Sequence, residues 1–271
     1  MNKLKIIILL LLFIALCINT FGFTKTNYFD VIKSGQGNKS IIFIPGFASS
    51  GKVWDETRAM FEKNYTCYTL TMAGFAGVEP QLNSSFKNWE TNIANYITEN
   101  KIDKPIIIGH SMGGGLALAL ASDYPKLIEK IIVVDALPCL PALMNPNFKS
   151  VEKSDCSVMV SQISSVPNEQ FYQMQKMSIS RLVADTLKQE LVVSWSMKSD
   201  RKTFAEMYCD FSNTDLREKI NTKYACRIDY VIDLPGLILP DYMTGSIISA
   251  KGSKKLRIAM LDNTILPYPE Q

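Results

Sequence analysis

Short runs of apolar, β-branched residues alternate with helical patterns through the first half of the chain. The predicted strands are Tyr28–Lys33, 41–45, Tyr65–Thr71, 105–108 and 131–135. Three of these runs are apolar at almost every position, which is typical of parallel strands buried on both faces. One helix face is marked, at three- and four-residue steps, by Trp89, Ile93, Tyr96 and Ile97. The pattern predicts an α/β fold with a doubly wound, mostly parallel sheet.

The pattern changes after Pro138. From there to about residue 210 no strand pattern interrupts the predicted helices, which span 151–163, 168–178, 179–195 and 201–209. We expect these helices to form a cap inserted over the functional site.

The first 22 residues have the pattern of an export signal. Lys3 and Lys5 precede an apolar run from Ile6 to Ile18, which is short for a membrane span, and Gly22 ends a plausible cleavage site. Export to the periplasm or the medium is therefore expected, and an uncleaved membrane anchor is the alternative.

The predicted division is a signal peptide at 1–22, a first core part at 23–137, the helical cap at 138–212 and an atypical or truncated core part at 213–271.

One pentapeptide, Gly109-His110-Ser111-Met112-Gly113, stands between the strand at 105–108 and a helix rich in small residues. Strand, G-x-S-x-G and helix in this order form a nucleophile elbow, in which the serine occupies a strained turn. The flanking positions must be glycine so that helix and strands can approach. The alternative is a glycine-rich start of a helix that carries no chemistry.

A second glycine-containing loop, Gly46 to Gly51, follows the strand at 41–45. A loop in this position, upstream of the elbow, is where an oxyanion hole is built from two backbone N–H groups. We assign these donors to Phe47 and Met112. The alternative is that Pro45-Gly46 only ends the strand.

Three segments together resemble the α/β-hydrolase superfamily of esterases and lipases: Ile41 to Trp54, the elbow, and Val133 to Pro138. The cap segments at 142–146, 198–201 and 214–217 are similar to those of a group of exported bacterial hydrolases. The resemblance covers roughly residues 28 to 220 and implies a Ser-His-acid triad, no cofactor and no metal.

The acid that the resemblance implies has several candidates. Asp135 ends the strand after the elbow helix, a position that some members of the superfamily use, whereas most use the next strand. A carboxylate there would orient an imidazole, although an Asp that only caps the loop is the alternative. Asp229 and Asp233 lie near the expected later strand and are reserves.

The base is the residue that the sequence does not supply in the expected place. The resemblance implies a His after the final strand, predicted at Leu256–Leu261, but the sequence contains one His, His110, within the elbow. A frame change or truncation, a natural pseudoenzyme, and a substitute base such as Lys254 or Lys255 are the competing explanations. Residues 224–252 also show no clear buried strand.

Composition narrows the range of partners. A net charge of +3 without a basic stripe argues against nucleic acid. The cysteines have no Cys-x-x-Cys pair and no regular spacing, so no disulfide framework is predicted, although one bridge is possible in an oxidising compartment.

Together these features predict a serine hydrolase of carboxylic esters, weak or inactive as written because no triad His is present. The alternative is a non-catalytic protein of the same fold that binds a small apolar ligand. A small ester or apolar molecule is the expected partner, with no stable membrane span after signal cleavage.

Overall fold

The computed structural model describes residues 22–25, 28–152, 154–222 and 227–231. The predicted signal peptide (apart from Gly22), the strand predicted at Leu256–Leu261, the reserve acid Asp233 and the lysines Lys254 and Lys255 lie outside these residues.

The described strands form one seven-stranded sheet in the order β1-β2-β4-β3-β5-β6-β7. Their bounds are β1 Gly22–Lys25, β2 Phe29–Ser34, β3 Lys39–Ile44, β4 Tyr65–Met72, β5 Ile106–His110, β6 Lys130–Val134 and β7 Arg227–Val231. The pairs β1–β2 and β2–β4 are antiparallel, and the other four pairs are parallel. The predicted mostly parallel sheet is confirmed.

Eight helices are described, together with short 3₁₀ turns at Gly51–Trp54 and Leu140–Leu143. The helices are α1 Asp55–Phe61, α2 Phe86–Glu99, α3 Met112–Asp123, α4 Ser157–Ser165, α5 Asn168–Leu182, α6 Thr186–Met197, α7 Arg201–Ser212 and α8 Arg217–Thr222. Among the described residues, none of these helices is long and apolar enough to cross a membrane.

Both faces of the sheet are covered, because successive strand residues point to opposite sides. On one face, Ile42 and Ile107 pack with Trp89 of α2 and the leucines of α3. On the other face, Phe43 and Ile108 pack with Trp54 and neighbouring side chains. The apolar strand runs and the Trp89 helix face therefore have the burial that the sequence predicts.

Strand β7 corrects one prediction. No clear strand was expected within 224–252, yet Arg227–Val231 pairs in parallel with β6, with Asp229 opposite Ile132. The alternation of polar and apolar residues in Arg-Ile-Asp-Tyr-Val differs from the continuous apolar runs of the inner strands, which is why the pattern did not indicate a strand.

Helices α4–α7, which we call the cap, lie between β6 and β7 in the chain. Two of their bounds differ from the prediction. Helix α4 begins at Ser157 rather than 151, since the Asp155 carboxylate accepts a bond from the Ser157 N–H, and Asn213 holds the backbone of Val151. The single helix predicted at 179–195 is interrupted because Asp185 caps α6 through the Leu187 N–H.

Helix α7 is fixed to the core at both ends. At its start, the Asp200 N–H donates to the Gly74 carbonyl over 2.8 Å. Near its end, the Asp210 carboxylate accepts a bond of 2.7 Å from the Phe86 N–H. A disulfide joins Cys209 to Cys156 at the start of α4, and the sequence leaves such a bridge open.

Candidate active site

Ser111 occupies the sharp turn between β5 and α3. Its backbone has φ 51° and ψ −120°, a conformation that costs a residue with a side chain free energy and is found where function requires it. The turn is fixed because the Ser111 N–H donates to the Val134 carbonyl (2.9 Å) and the Gly115 N–H donates to the Ser111 carbonyl (3.0 Å). Ser111 is half-buried at the carboxyl edge of the sheet, which is the arrangement of a nucleophile elbow.

The two elbow glycines are required by close backbone contacts. A Cβ atom on Gly109 would overlap the carbonyl of Gly113, and a Cβ atom on Gly113 would overlap the carbonyl of Ile44. Helix α3 can therefore approach β3 and β5 closely enough to form the turn only with glycine at both positions. Glycine at both positions is therefore a steric requirement of this turn.

The predicted oxyanion loop lies beside the elbow. A Cβ atom on Gly46 would be 3.4 Å from Cβ of Ser111, so the loop backbone touches the nucleophile turn. The loop is held by a bond from the Ser49 N–H to the Gly46 carbonyl and by one from the Ser49 hydroxyl to the Phe47 carbonyl. Ala48 has a positive φ of 51°, which reverses the chain direction here.

The two predicted donors, the N–H groups of Phe47 and Met112, flank this contact. Met112 is the first residue of α3, so its N–H has no partner within the helix. In the described part of the chain, neither N–H donates to another protein group. The structure therefore brings Ser111, Phe47 and Met112 together at one edge.

Asp135 reaches the same edge. It directly follows Val134, whose carbonyl binds the Ser111 amide, and it has a positive φ of 48°. The reserve Asp229 lies opposite Ile132, two residues before the paired ends Val134 and Val231. Of these two acids, Asp135 therefore lies nearer the elbow.

His110 packs beneath the oxyanion loop. A Cβ atom on Gly46 would lie only 2.9 Å from its Nδ1. Burial lowers the pKa of this imidazole, and the nearby Asp135 carboxylate opposes that effect without reversing it. The imidazole thus packs against the Gly46 loop, and its pKa lies below the ordinary value.

An aromatic cluster that sequence reasoning missed joins the loop to the cap. We define it as Phe47, Phe75, Phe204 and Tyr208. The Phe47 ring has edge-to-face contacts with Phe75 (5.2 Å between centroids), Phe204 (4.5 Å) and Tyr208 (5.7 Å). The four-residue spacing of Phe204 and Tyr208 could have indicated a shared aromatic face on α7, but nothing in the sequence ties that face to Phe47.

No group of three or more His, Cys, Asp or Glu side chains is arranged to hold a metal ion within the ranges that the structure describes.

Residues 39–156 match the family model described as alpha/beta hydrolase fold. A hydrolase from Pseudomonas aeruginosa PA01 superposes with a TM-score of 0.62 and 14% identity, covering 87% of this chain and 100% of that one. The enol-lactonase from Burkholderia xenovorans LB400 superposes with a TM-score of 0.60 and 14% identity, and the superposition covers 78% of this chain and 80% of the lactonase chain. The chain therefore has the α/β-hydrolase fold.

Among curated relatives, a pimeloyl acyl-carrier-protein methyl ester esterase of Citrobacter koseri is 24% identical over 108 residues. That alignment covers 40% of this chain and 41% of the relative. The chain thus matches less than half of that relative's length.

Proposed function

We propose that this protein is a serine hydrolase that acts on carboxylic esters. The single observation that carries the proposal is Ser111 in a strained elbow with the Gly46–Phe47 backbone against it. A binding module would need neither the strained serine nor unpaired N–H groups beside it. The esterase and lactonase relatives support the same reaction class.

In the proposed mechanism, the Ser111 hydroxyl attacks the ester carbonyl and forms a tetrahedral intermediate. The N–H groups of Phe47 and Met112 donate to its oxyanion, which lowers the barrier where charge develops. The alcohol leaves, and water then hydrolyses the acyl-serine ester, which releases the acid and regenerates Ser111. No residue of this chain is assigned as the base, so the serine proton passes to solvent water, which also supplies the proton that the departing alcohol needs. Asp135 would stabilise the positive charge of an imidazole introduced beside Ser111.

The base determines how fast this chain can work. Its one His is His110, which packs against Gly46 and is not assigned as the base. Removal of a triad member in a serine protease costs up to about 10⁶ in turnover and leaves about 10³–10⁴ over water from the oxyanion hole and binding. We therefore expect slow ester hydrolysis from the 271-residue sequence.

The test is hydrolysis of p-nitrophenyl acetate by the purified protein, beside Ser111→Ala and the exposed cap variant Ser178→Ala. The proposal predicts that the rate above background disappears in Ser111→Ala and is unchanged in Ser178→Ala. Equal rates in all three proteins, at background, would contradict it and would favour the alternative, a non-catalytic protein that binds a small apolar ligand.

A second experiment tests the missing base. A His introduced in the segment 262–271, scanned one position at a time, is expected to raise the Ser111-dependent rate at one of these positions. A His that proves by cross-linking to lie beside Ser111, yet leaves the rate unchanged, would contradict this explanation.

The proposed location is outside the cytoplasm, because the Cys156–Cys209 bridge is of the kind that persists in oxidising compartments. Fractionation of cells that produce the full chain, with mass analysis of its N-terminus, would separate export with cleavage near Gly22 from retention by an uncleaved anchor. Recovery of the protein from the cytosol with both cysteines reduced would contradict export.

A further inference from the structure

The members of the aromatic cluster differ in how far they are exposed to solvent. Phe75 is fully buried and Phe204 is 8% exposed, whereas Tyr208 keeps 50% of its surface exposed although its ring contacts Phe47. Burial therefore decreases from Phe75 in the core to Tyr208 on cap helix α7. The exposed ring, Tyr208, packs on Phe47, which directly follows Gly46 in the loop beside Ser111.

The exposure of Tyr208 does not come from a loose helix. On the same helix Ala205 and Met207 are completely buried, and the next residue, Cys209, is in the disulfide. Thr203 packs against Gly74, and Asp210 holds the Phe86 N–H. Tyr208 is thus an aromatic ring on a fixed support, and such a ring can bind an apolar group at little cost in entropy.

The hydroxyl group of Tyr208 has no structural role in the described part of the chain. Among the described residues it makes no hydrogen bond. Phe would therefore serve equally well as an internal packing residue, and the ring rather than the hydroxyl is the feature that the contact with Phe47 uses.

We propose that Tyr208 is a specificity-determining residue whose ring forms the cap-side wall for the apolar group of an ester bound at Ser111. This proposal rests on the proposed function and deepens it, since it assigns to the substrate an apolar group that extends from Ser111 past Phe47 to the Tyr208 ring. Acetate, whose acyl group is a single methyl, is the substrate with the least apolar surface to place against the ring.

The experiment compares the wild type with Tyr208→Ala and Tyr208→Phe, using p-nitrophenyl acetate, butyrate and octanoate. Tyr208→Ala is expected to lower kcat/KM for butyrate and for octanoate, each relative to acetate, by about 3- to 10-fold. Tyr208→Phe should stay within about twofold of the wild type, because it keeps the ring.

The matched control is Tyr172→Ala, another cap tyrosine, whose hydroxyl bonds to Glu190 and which is outside the aromatic cluster. It should leave both ratios unchanged. Ratios for Tyr208→Ala that equal those of the wild type within twofold, in a protein with native circular dichroism, would overturn the proposal.

A binding measurement separates this proposal from the proposed function. Butyl 4-nitrophenyl ether, which cannot be hydrolysed as an ester, is titrated calorimetrically into the wild type, Tyr208→Ala and Tyr172→Ala. A Kd raised about 3- to 10-fold only in Tyr208→Ala supports the wall even if no Ser111-dependent rate exists. Equal Kd values, or no binding by any of the three proteins, would overturn it.

Discussion

The Asp210 carboxylate, on cap helix α7, accepts a hydrogen bond of 2.7 Å from the backbone N–H of Phe86, the first residue of core helix α2. This N–H is one of the four at a helix start that lack an intrahelical partner. Ser85 caps the same helix through the Asn88 N–H. The cap and the core therefore share one helix terminus, and the end of α7 is fixed by it.

Loss of the Asp210 carboxylate should destabilise the protein. In Asp210→Ala the Phe86 N–H remains partly buried without an acceptor, so we expect a loss of about 1–2 kcal/mol in the free energy of unfolding. Urea denaturation followed by circular dichroism measures it. Asp210→Asn, which retains an acceptor oxygen, should lose less. Equal midpoints for Asp210→Ala and the wild type would show that the bond does not hold cap to core.

The Cys156–Cys209 disulfide should also contribute to the free energy of unfolding. Cys156 and Cys209 are 53 residues apart in sequence, and a bridge that closes a loop of this length stabilises by about 2–4 kcal/mol, mainly by restricting the unfolded chain. The variant Cys156→Ser/Cys209→Ser should unfold at a correspondingly lower urea concentration. Added reductant should lower the midpoint of the wild type and leave the double variant unchanged. A reductant effect on the double variant would indicate another cause.

Alanine substitutions at Gly113 and Gly115, which are two residues apart in α3, should differ in their effect on stability. A Cβ atom on Gly113 meets the rigid carbonyls of Ile44 and Pro45, so Gly113→Ala should cost about 1–3 kcal/mol or more. At Gly115 the nearest atom is the Phe211 ring at 2.9 Å, and a side chain can shift. Because Ala also favours the helix by about 1 kcal/mol, Gly115→Ala should be close to neutral. Similar losses for both variants would argue against the steric explanation of the elbow.

The stability of the protein should depend on pH in part through His110. Burial lowers the pKa of the folded imidazole, so the unfolded chain takes up a proton more readily and stability falls as pH decreases below about 6.5. Urea titrations from pH 7.5 to 5.5 should show this fall in the wild type and lose it in His110→Asn. The buried Glu90, whose pKa is raised by burial, contributes with the opposite sign in both proteins. Parallel pH profiles for the two proteins would contradict the assignment.

Most of the sheet could be predicted because its strands are buried on both faces and read as apolar runs, such as 105–108 and 131–135. Strand β7 could not be predicted, since Arg227 and Asp229 interrupt its pattern and only pairing with β6 identifies it. In the cap, Asn168 and Arg201 begin helices where the sequence indicates. The start of α4 depends on a contact with Asn213, which is more than fifty residues away in the chain.

The candidate site, like the fold, could be predicted only in part from the sequence. The sequence predicts Ser111 and the loop at Gly46 because their glycines reflect local sterics, and their approach to one another follows from β3 and β5 being neighbours. The contact between Phe47 and Tyr208 could not be foreseen, because it depends on how α7 lies across the sheet. The roles of Asp135, Phe47 and Met112 in catalysis remain predictions.

The packing of His110 beneath the oxyanion loop has a spectroscopic consequence. Because the 271-residue sequence holds one imidazole, its ring-proton and ring-nitrogen signals should be free of overlap from other histidines in a nuclear magnetic resonance spectrum. Their chemical shifts would respond to any displacement of Gly46, which the ring touches. Arrival of a molecule at Ser111 could therefore be observed directly, without a label and without turnover.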